Sequence, residues 1–371
     1  MSHATLPILR MLEPRLLNPF VKVFWKSDRH VVDGWHYHSS NFQINKDLTH
    51  LADNWIPESG FFRVGQSDLD PAAVRNGNSL VRKILTGNMG SIATSTKDSN
   101  LSGSHQTRAF GHLLVRHCFS SALHSNRNPR IADWTARYVR DSVIPDDVRR
   151  RATSHYANLP QLRLELSRIL EQEEFTNREP RDMLDVAALV APNEQSLPEI
   201  YQRLVLSTTG FLGTAVEWLC IDLAKYPHEG HAREGFIRES LRLSSPAWRL
   251  TRTARREVTW AGEPITKDSE LILNIFAANR DPLAWRDPRK FKSGRWNCPL
   301  SPKNELSFGK GKRACPAQTS SLRFLESLYT HITTNYSVAW HPYLGSRPLV
   351  GTLNAPPLGR MVFRPLSKDS G

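Results

Sequence analysis

Cysteine is scarce in this sequence: Cys118, Cys220, Cys298 and Cys315 are the full set, and no two form a CxxC pair. That argues against a zinc ribbon and against a disulfide scaffold, and it favours a reducing, cytoplasmic setting. Long apolar runs are missing as well. The greasy N-terminal stretch, residues 6–25, is broken by Arg10, Glu13, Pro14, Arg15, Pro19 and Lys22. It falls short of the roughly 18 nearly uncharged residues that a membrane span requires, and of the apolar core of a signal peptide. No integral membrane segment is expected, and the stretch reads as a short helix docked on the protein body. There is no repeat of solenoid length and no long low-complexity tract. Neither a zinc finger nor an aromatic–basic RNA signature accompanies the positive charge, so nucleic acid is not the expected partner.

What is present is enough apolar material for a sizeable core, 39% of the chain, under a surface of net charge +13. Such a balance suits an acidic partner or a generally basic soluble surface. Residues 86–106, TGNMGSIATSTKDSNLSGSHQ, concentrate Gly, Ser, Thr and Asn and are expected to form a long functional loop. Helical spacing of apolar residues follows at 108–123 and 159–174. Residues 197–227 read as one long helix, opened by Pro198, stopped by Pro227 and apolar nearly all round in its middle, which places it in the core. Another helix covers 231–245. Strand patterns occupy 256–262, 270–278, 349–353 and 359–365. An irregular meander studded with proline and aspartate fills 279–299, and a last helix covers 318–336.

The stretch NELSFGKGKRACPAQ, residues 304–318, crowds glycines, cations and a lone cysteine into one loop. It is not a phosphate cradle, because Lys312 is followed by Arg313 rather than a hydroxyl, and the glycine spacing is wrong. Cys315 stands just before a helix, whose first N–H groups favour thiolate over thiol. A thiolate with nearby donors and an open face is what a single-cysteine iron site requires. On spacing alone a buried structural cysteine satisfies the pattern too.

Phe308, Gly311, Arg313, Cys315 and Ala317 fall in the order F-x-x-G-x-R-x-C-x-[GA]. This resembles the heme-binding loop of the cytochrome P-450 family. The resemblance implies heme b with Cys315 as its axial thiolate, Phe308 covering the sulfur side, Gly309 and Gly311 allowing a tight turn, and Arg313 meeting a heme propionate. Ala317 stands where a glycine is commoner. Glu239 and Arg242 match the family's E-x-x-R, which locks to a meander arginine, here Arg289 or Arg295. Arg252, in PAWRLTRTARREV, matches a second propionate ligand. The likeness runs from about residue 204 to the C-terminus. It implies a mostly α (α+β) single domain over 1–371, compacted in the lid region. Within it, residues 1–110 form an N-terminal region with a substrate-contacting loop. Residues 111–245 are a helical part holding the core helix. Residues 246–371 bring the strands, meander, heme loop and last helix.

Three departures accompany the resemblance. The family's core helix carries [AG]-G-x-[DE]-T, whose acid and alcohol relay protons. Registered on EWLCIDLAKYP, the small pair falls on Ser207 and Thr208, the acid on Gly210 and the alcohol on Phe211. Thr208, Thr209 or Thr214 is left either to substitute or to back-bond to the helix. Second, the family's [WH]-x-x-x-R, anchored on CFSS, becomes Arg108-x-x-x-His112, with His105 and Arg116 as competitors for the propionate. Third, the chain is short between Phe119 and Asp182, where the substrate lid lies, which suits an open pocket, a carrier-held substrate or a completing partner chain.

The implied activity is that of a monooxygenase-like oxidoreductase acting on a small apolar biosynthetic intermediate. It would draw electrons from an acidic ferredoxin- or flavodoxin-type donor docked near Lys310, Lys312, Arg313 and Arg323. Residues 92–100, 209–213, the strand after Pro246 and 353–355 are expected to face the substrate. Heme chemistry without standard oxygen activation, and a non-catalytic heme-binding protein, are the rival readings.

Overall fold

The computed structural model describes residues 31–33, 36–39, 55–57, 63–64, 67–124, 164, 168, 179–229, 232–260, 263–268, 270–282, 284–297, 305–309, 314–350 and 353–367. The N-terminal stretch at 6–25, nearly all of the helix expected at 159–174, most of the lid region, and Lys310, Gly311, Lys312 and Arg313 lie outside the described residues. Within 159–174, Leu164 and Arg168 are described, and both are helical.

Short strands come first: β1 (Val31–Asp33), β2 (His36–Ser39), β3 (Trp55–Pro57), β4 (Arg63–Val64) and β5 (Ser67–Asp68). Helices α1 (Pro71–Gly87) and α2 (Met89–Asp98) follow, then β6 (Gly103–Gln106), α3 (Phe110–Cys118), α4 (Ser120–His124) and α5 (Met183–Val190). The long core helix α6 covers Leu197–Lys225. After it come α7 (Arg233–Leu243), β7 (Arg249–Ala254), β8 (Val258–Trp260), β9 (Glu263–Ile265), β10 (Glu270–Asn274) and α8 (Ile275–Ala278). The chain closes with α9 (Gln318–Asn335), β11 (Tyr336–Pro342), β12 (Leu349–Val350), β13 (Asn354–Ala355) and β14 (Gly359–Pro365).

Local sequence explains the helix starts. Asp70 accepts the amides of Ala72 and Ala73 and Pro71 opens the first turn, so α1 begins with its orphan donors satisfied. Its Val74, Val81, Ile84 and Leu85 recur at helical spacing and are buried. In α9 the buried stripe is Phe324, Leu325, Leu328, Tyr329 and Ile332. These residues join one core cluster with α3, α5 and α6.

Two sheets tie the chain's ends together. The larger runs β1-β2-β10-β7-β3, with β2 parallel to β10 and Tyr37 opposite Leu271. The second runs β11-β14-β6, with Ser104 opposite Val362. Strands from the first third of the sequence are therefore completed by strands from the last third, which makes the architecture one α+β unit.

Several elements differ from the sequence reading. Residues 86–106 are not a loop: α2 and β6 lie within them. Ser and Thr are poor helix formers, but here their hydroxyls bond within the helix, Thr96 Oγ1 to Ile92 O at 2.6 Å and Ser99 Oγ to Ser95 O at 2.7 Å. Ile92 and Thr96 are fully buried, so packing overrides propensity. The end of the strand expected at 270–278 turns into α8. Strand β11 follows directly on α9, where the reading placed no strand.

Helix α6 stands as expected from Pro198 to the residues before Pro227, with a π-helical segment at Leu206–Phe211. It is the one helix among the described residues long and apolar enough to cross a membrane, and 83% of its apolar window is buried inside the protein. That burial is what a core helix shows.

Candidate functional site

The cysteine loop is held by a succession of hydrogen bonds that begins far from the sulfur. On α7, Glu239 and Arg242 form an ion pair at 2.8 Å with both side chains at 0% exposure. Glu239 also accepts from Arg295 Nε at 2.9 Å, Trp296 Nε1 at 3.1 Å and the Lys292 amide at 3.0 Å. The meander arginine of the lock is thus Arg295. Arg242 spends Nη1 on the carbonyls of Asn279 at 2.6 Å and Pro288 at 2.8 Å. A charge pair this deeply buried survives only when every lone pair and proton is used, and here nearly all are.

Asn279 passes the order on. Its Oδ1 accepts the Leu306 amide at 3.2 Å and its Nδ2 donates to Ser307 Oγ at 3.3 Å, while Ser307 Oγ donates to Leu241 O at 3.1 Å. Asn279 is fully buried. Sequence reasoning passed it over; the only signal was an amide at the head of the meander, in NRDP. Leu306 O accepts the Gly309 amide at 2.9 Å, and Phe308 O accepts the Cys315 amide at 2.8 Å. Gly309 has φ +67°, a left-handed turn that a side chain strains. Phe308 packs partly buried against the core.

The sulfur itself meets opposing influences. Desolvation is the largest of them and leaves the Cys315 thiol raised above its ordinary value, against the smaller downward pull of the Ala317 amide and of the Arg82 charge. The residue as a whole is half-buried. Arg82 lies on α1 and is exposed. It is a cation the sequence reading missed; the available signal was the basic pair Arg82–Lys83 on a helix with a clean apolar stripe.

The two propionate candidates, Arg108 and His112, both have protein partners at the start of α3. Arg108 sits in a turn at φ +67° before α3, and its guanidinium donates to Pro356 O at 2.7 Å and Arg347 O at 2.9 Å. His112 is buried in the seam between α3 and α6, with Nε2 3.5 Å from Thr214 Oγ1. That seam is backbone against backbone. A Cβ on Gly111 would run into Gly213 O, and one on Gly213 would meet His112 Cα at 2.8 Å. Helix α3 follows a strand paired to β14 and packs on α6.

Glu217 completes that seam. Ala109 offers no capping side chain, and Glu217 supplies the cap from α6, its oxygens accepting the amides of Arg108 at 2.8 Å and Gly111 at 3.1 Å. Burial nonetheless pushes its carboxyl up to about 7, against the downward pull of those amides and of Arg108.

The core-helix candidates are sorted by the π segment. Leu206, Ser207, Thr208 and Phe211 keep accessible surface, whereas Thr209 and Gly210 are buried. Ser207 Oγ and Thr208 Oγ1 both donate to Leu204 O, at 2.8 and 2.9 Å. Thr209 Oγ1 donates to Val205 O at 2.8 Å. Thr209 therefore points into the protein, with its hydrogen committed. Of the segments expected to face substrate, Ile92 is at 0% and Leu353 and Ala355 are each at 1% exposure, which places them in the core. Arg252 lies on β7 opposite Leu271 of β10 and Pro57 of β3.

A family model described as Cytochrome P450 matches residues 234–342, the stretch that holds the Glu239 lock and the Cys315 loop. Geraniol 8-hydroxylase from Swertia mussotii is 26% identical over 240 residues, 53% of this chain and 47% of that protein. Germacrene A hydroxylase from Barnadesia spinosa is 35% identical over 117 residues, 30% of this chain and 23% of that protein. The chain spans about half or less of the length of the curated relatives it matches. An open cytochrome P450 EryK from S. erythraea superposes with a TM-score of 0.74 at 16% identity, covering 97% of this chain and 99% of that one. A structure of P450BioI with an acyl-bearing carrier protein gives 0.68 at 14% identity, over 88% and 92%. At those identities the likeness shows the fold. The stretch with the Glu239 lock and the Cys315 loop therefore matches the cytochrome P450 family model, and the chain has the fold of solved cytochrome P450 structures.

Members of this family bind heme b through an axial cysteine thiolate. The residues present fit that group. Cys315 offers a sulfur that accepts from the Ala317 amide and has the Arg82 cation acting on it. Phe308 and the left-handed Gly309 shape the loop beneath it.

Proposed function

We propose that the chain is a heme-thiolate oxidoreductase that oxidises a small, apolar biosynthetic intermediate, using dioxygen and electrons from a separate acidic donor protein. The observation that carries this reading is Cys315, its amide held by Phe308 O and its sulfur by the Ala317 amide, at the end of the hydrogen-bond succession from Glu239 and Arg242. The bound heme would supply the redox chemistry. The chain's own part is to fix the ligand loop, place the Cys315 sulfur and present an apolar wall at Phe211 and Leu206. Relatives named as hydroxylases of geraniol and germacrene A support an apolar substrate. Exposed Arg82 and Arg323, together with the sequence cations Lys310, Lys312 and Arg313, support an acidic donor. Buried free thiols at Cys118 and Cys220 support a reducing, cytoplasmic setting.

A second reading is favoured by one observation: the acid position is Gly210 and the neighbouring Thr209 hydroxyl is turned inward. Heme-thiolate chemistry would then run on peroxide, on a protic group of the substrate, or as a rearrangement or dehydration. The test is sequential. Reduced, heme-loaded protein with carbon monoxide should show the long-wavelength band that gives the family its name; an imidazole-type spectrum or colourless protein overturns the assignment of Cys315. Turnover with donor and dioxygen, compared with turnover on peroxide, then separates the two readings. Absence of both with every ligand that shifts the heme spectrum favours a non-catalytic binding protein.

A further inference from the structure

The outer face of α9 lies in a groove of about 510 Å³ that heme chemistry does not use. Its floor is one helical stripe, in which Arg323, Glu326, Ser327, Thr330 and Thr334 recur at spacings of three and four. The opposite face of the same helix, with Phe324, Leu325 and Leu328, is buried in the core, so the floor is anchored from behind. Lys97, at the end of α2, stands on one wall, and Arg233, the first residue of α7, on another. Both walls are tied to the floor. His331 Nε2 stands 2.9 Å from Ser99 O, just past α2, and Arg233 Nη1 donates to Thr330 Oγ1 at 3.4 Å. Every side chain lining the groove is polar or charged, which suits neither an apolar helix nor acyl chains. Three cations stand there against one carboxylate, Glu326. Among the described residues Lys97, Arg323 and Glu326 form no ion pair, and the hydroxyls of Ser327 and Thr334 form no hydrogen bond. Charges of both signs left unpaired in one groove call for a ligand that brings an anion and a donor together.

We infer that this groove binds a small phosphate ester that also carries hydroxyl groups, a sugar phosphate in class. Arg233, Arg323 and Lys97 give charge-assisted donors to the phosphate oxygens, a task to which the planar guanidinium fork is well matched. Glu326 accepts from a hydroxyl of the ligand, and Ser327 and Thr334 meet others. The same carboxylate tells against an acidic peptide or a polyphosphate, whose further negative charge it repels. The volume falls within the roughly 300–1,000 Å³ of small-molecule sites. The inference does not rest on the heme-thiolate reading, since α2, α7 and α9 supply the whole site.

The experiment is isothermal titration calorimetry of the heme-loaded chain with glucose 6-phosphate, inorganic phosphate and glucose at constant ionic strength. The sugar phosphate should bind saturably and about tenfold more tightly than inorganic phosphate, the worth of one hydrogen bond to a charged group. Glucose should give no saturable heat. Arg323→Ala should weaken the sugar phosphate about tenfold and Lys97→Ala about threefold. Glu326→Gln should tighten inorganic phosphate and narrow the preference for the ester to about threefold. Arg360→Ala, which removes an exposed cation of β14 outside the groove, should change neither affinity. Equal binding of ester and inorganic phosphate, no saturable binding of either, or binding that survives both Arg323→Ala and Lys97→Ala overturns the site. Hexaglutamate, or vesicles of an anionic phospholipid, binding more tightly than the ester and losing that affinity in Arg323→Ala overturns the ligand class and makes the groove a docking surface instead.

Discussion

The two sides of the candidate site are built differently. On the cysteine side, order is imposed by charge and by directed hydrogen bonds, from the fully buried Glu239–Arg242 pair through Asn279 to the loop. On the core-helix side, order comes from close backbone contact at Gly111 and Gly213 and from one buried carboxylate, Glu217, capping α3. The first arrangement fixes a single atom, the sulfur. The second fixes a wall and leaves its chemistry open, because the residues in contact there are backbone and hydroxyl groups already bonded within the helix. A strict ligand geometry beside an adaptable wall suits a site in which one reagent is constant and the substrate varies.

Breaking the cysteine side should have the largest effect. Cys315→Ser should abolish the long-wavelength carbon monoxide band completely while the far-ultraviolet circular dichroism stays near wild type; a retained band would move the ligand elsewhere. Glu239→Ala comes next. It strands Arg242 in the core and leaves Arg295, Trp296 and the Lys292 amide without their acceptor, at a cost of about 3–5 kcal/mol. Urea denaturation should place the midpoint far below wild type, and a shift of under about 1 kcal/mol would show that the lock is not holding the loop.

The core-helix side should lose less. Gly111→Ala puts a methyl group where Gly213 O and Glu217 Cγ already stand, at 2.1 and 2.7 Å, so the two helices must separate. Overpacking of this kind is expected to cost about 1–3 kcal/mol in stability. Glu217 adds a pH dependence whose sign is fixed by its raised folded-state value of about 7. Below the ordinary carboxylate range near 4.3 both folded and unfolded chains hold the proton. As pH rises toward 7 the unfolded chain releases it and the folded chain does not, so stability falls; above 7 the difference is constant. The stability of wild type relative to Glu217→Gln should therefore decline between about pH 4.5 and 7 and then level off. A flat difference across that range would mean that the carboxylate ionises normally when buried.

How much of this was legible in the sequence divides along the same line. The cysteine loop, Glu239–Arg242 and the long core helix could be read because each depends on residue types at fixed short spacing, and the meander arginine was narrowed to two candidates of which Arg295 is the partner. The α2 helix was not legible: Ser and Thr within 86–106 signal a loop, and only burial of Ile92 and Thr96 against α9 and α3 makes them helical. The surroundings of Arg108 and His112 were not legible for a related reason. A helix with basic residues looks the same in sequence whatever it packs on, and the strand β6 that leads into it pairs with residues some 250 positions later.

The smallest expected effect is the one that separates the two sides most sharply. Thr209 stands beside the position of the missing acid, so the sequence leaves it as a substitute for the absent alcohol. Its side chain is instead buried, with Oγ1 donating to Val205 O. A hydroxyl spent on its own helix contributes little to stability, and its removal often leaves the helix unchanged. Thr209→Ala should change stability by under about 1 kcal/mol. It should also leave unaltered the fraction of electrons that ends in product rather than in peroxide, measured by product against reductant consumed. A marked rise in that leak would mean that the threonine turns outward during turnover and relays a proton there. The core-helix side would then prescribe a single chemistry as tightly as the cysteine side does, and the contrast between a fixed sulfur and an adaptable wall would no longer stand.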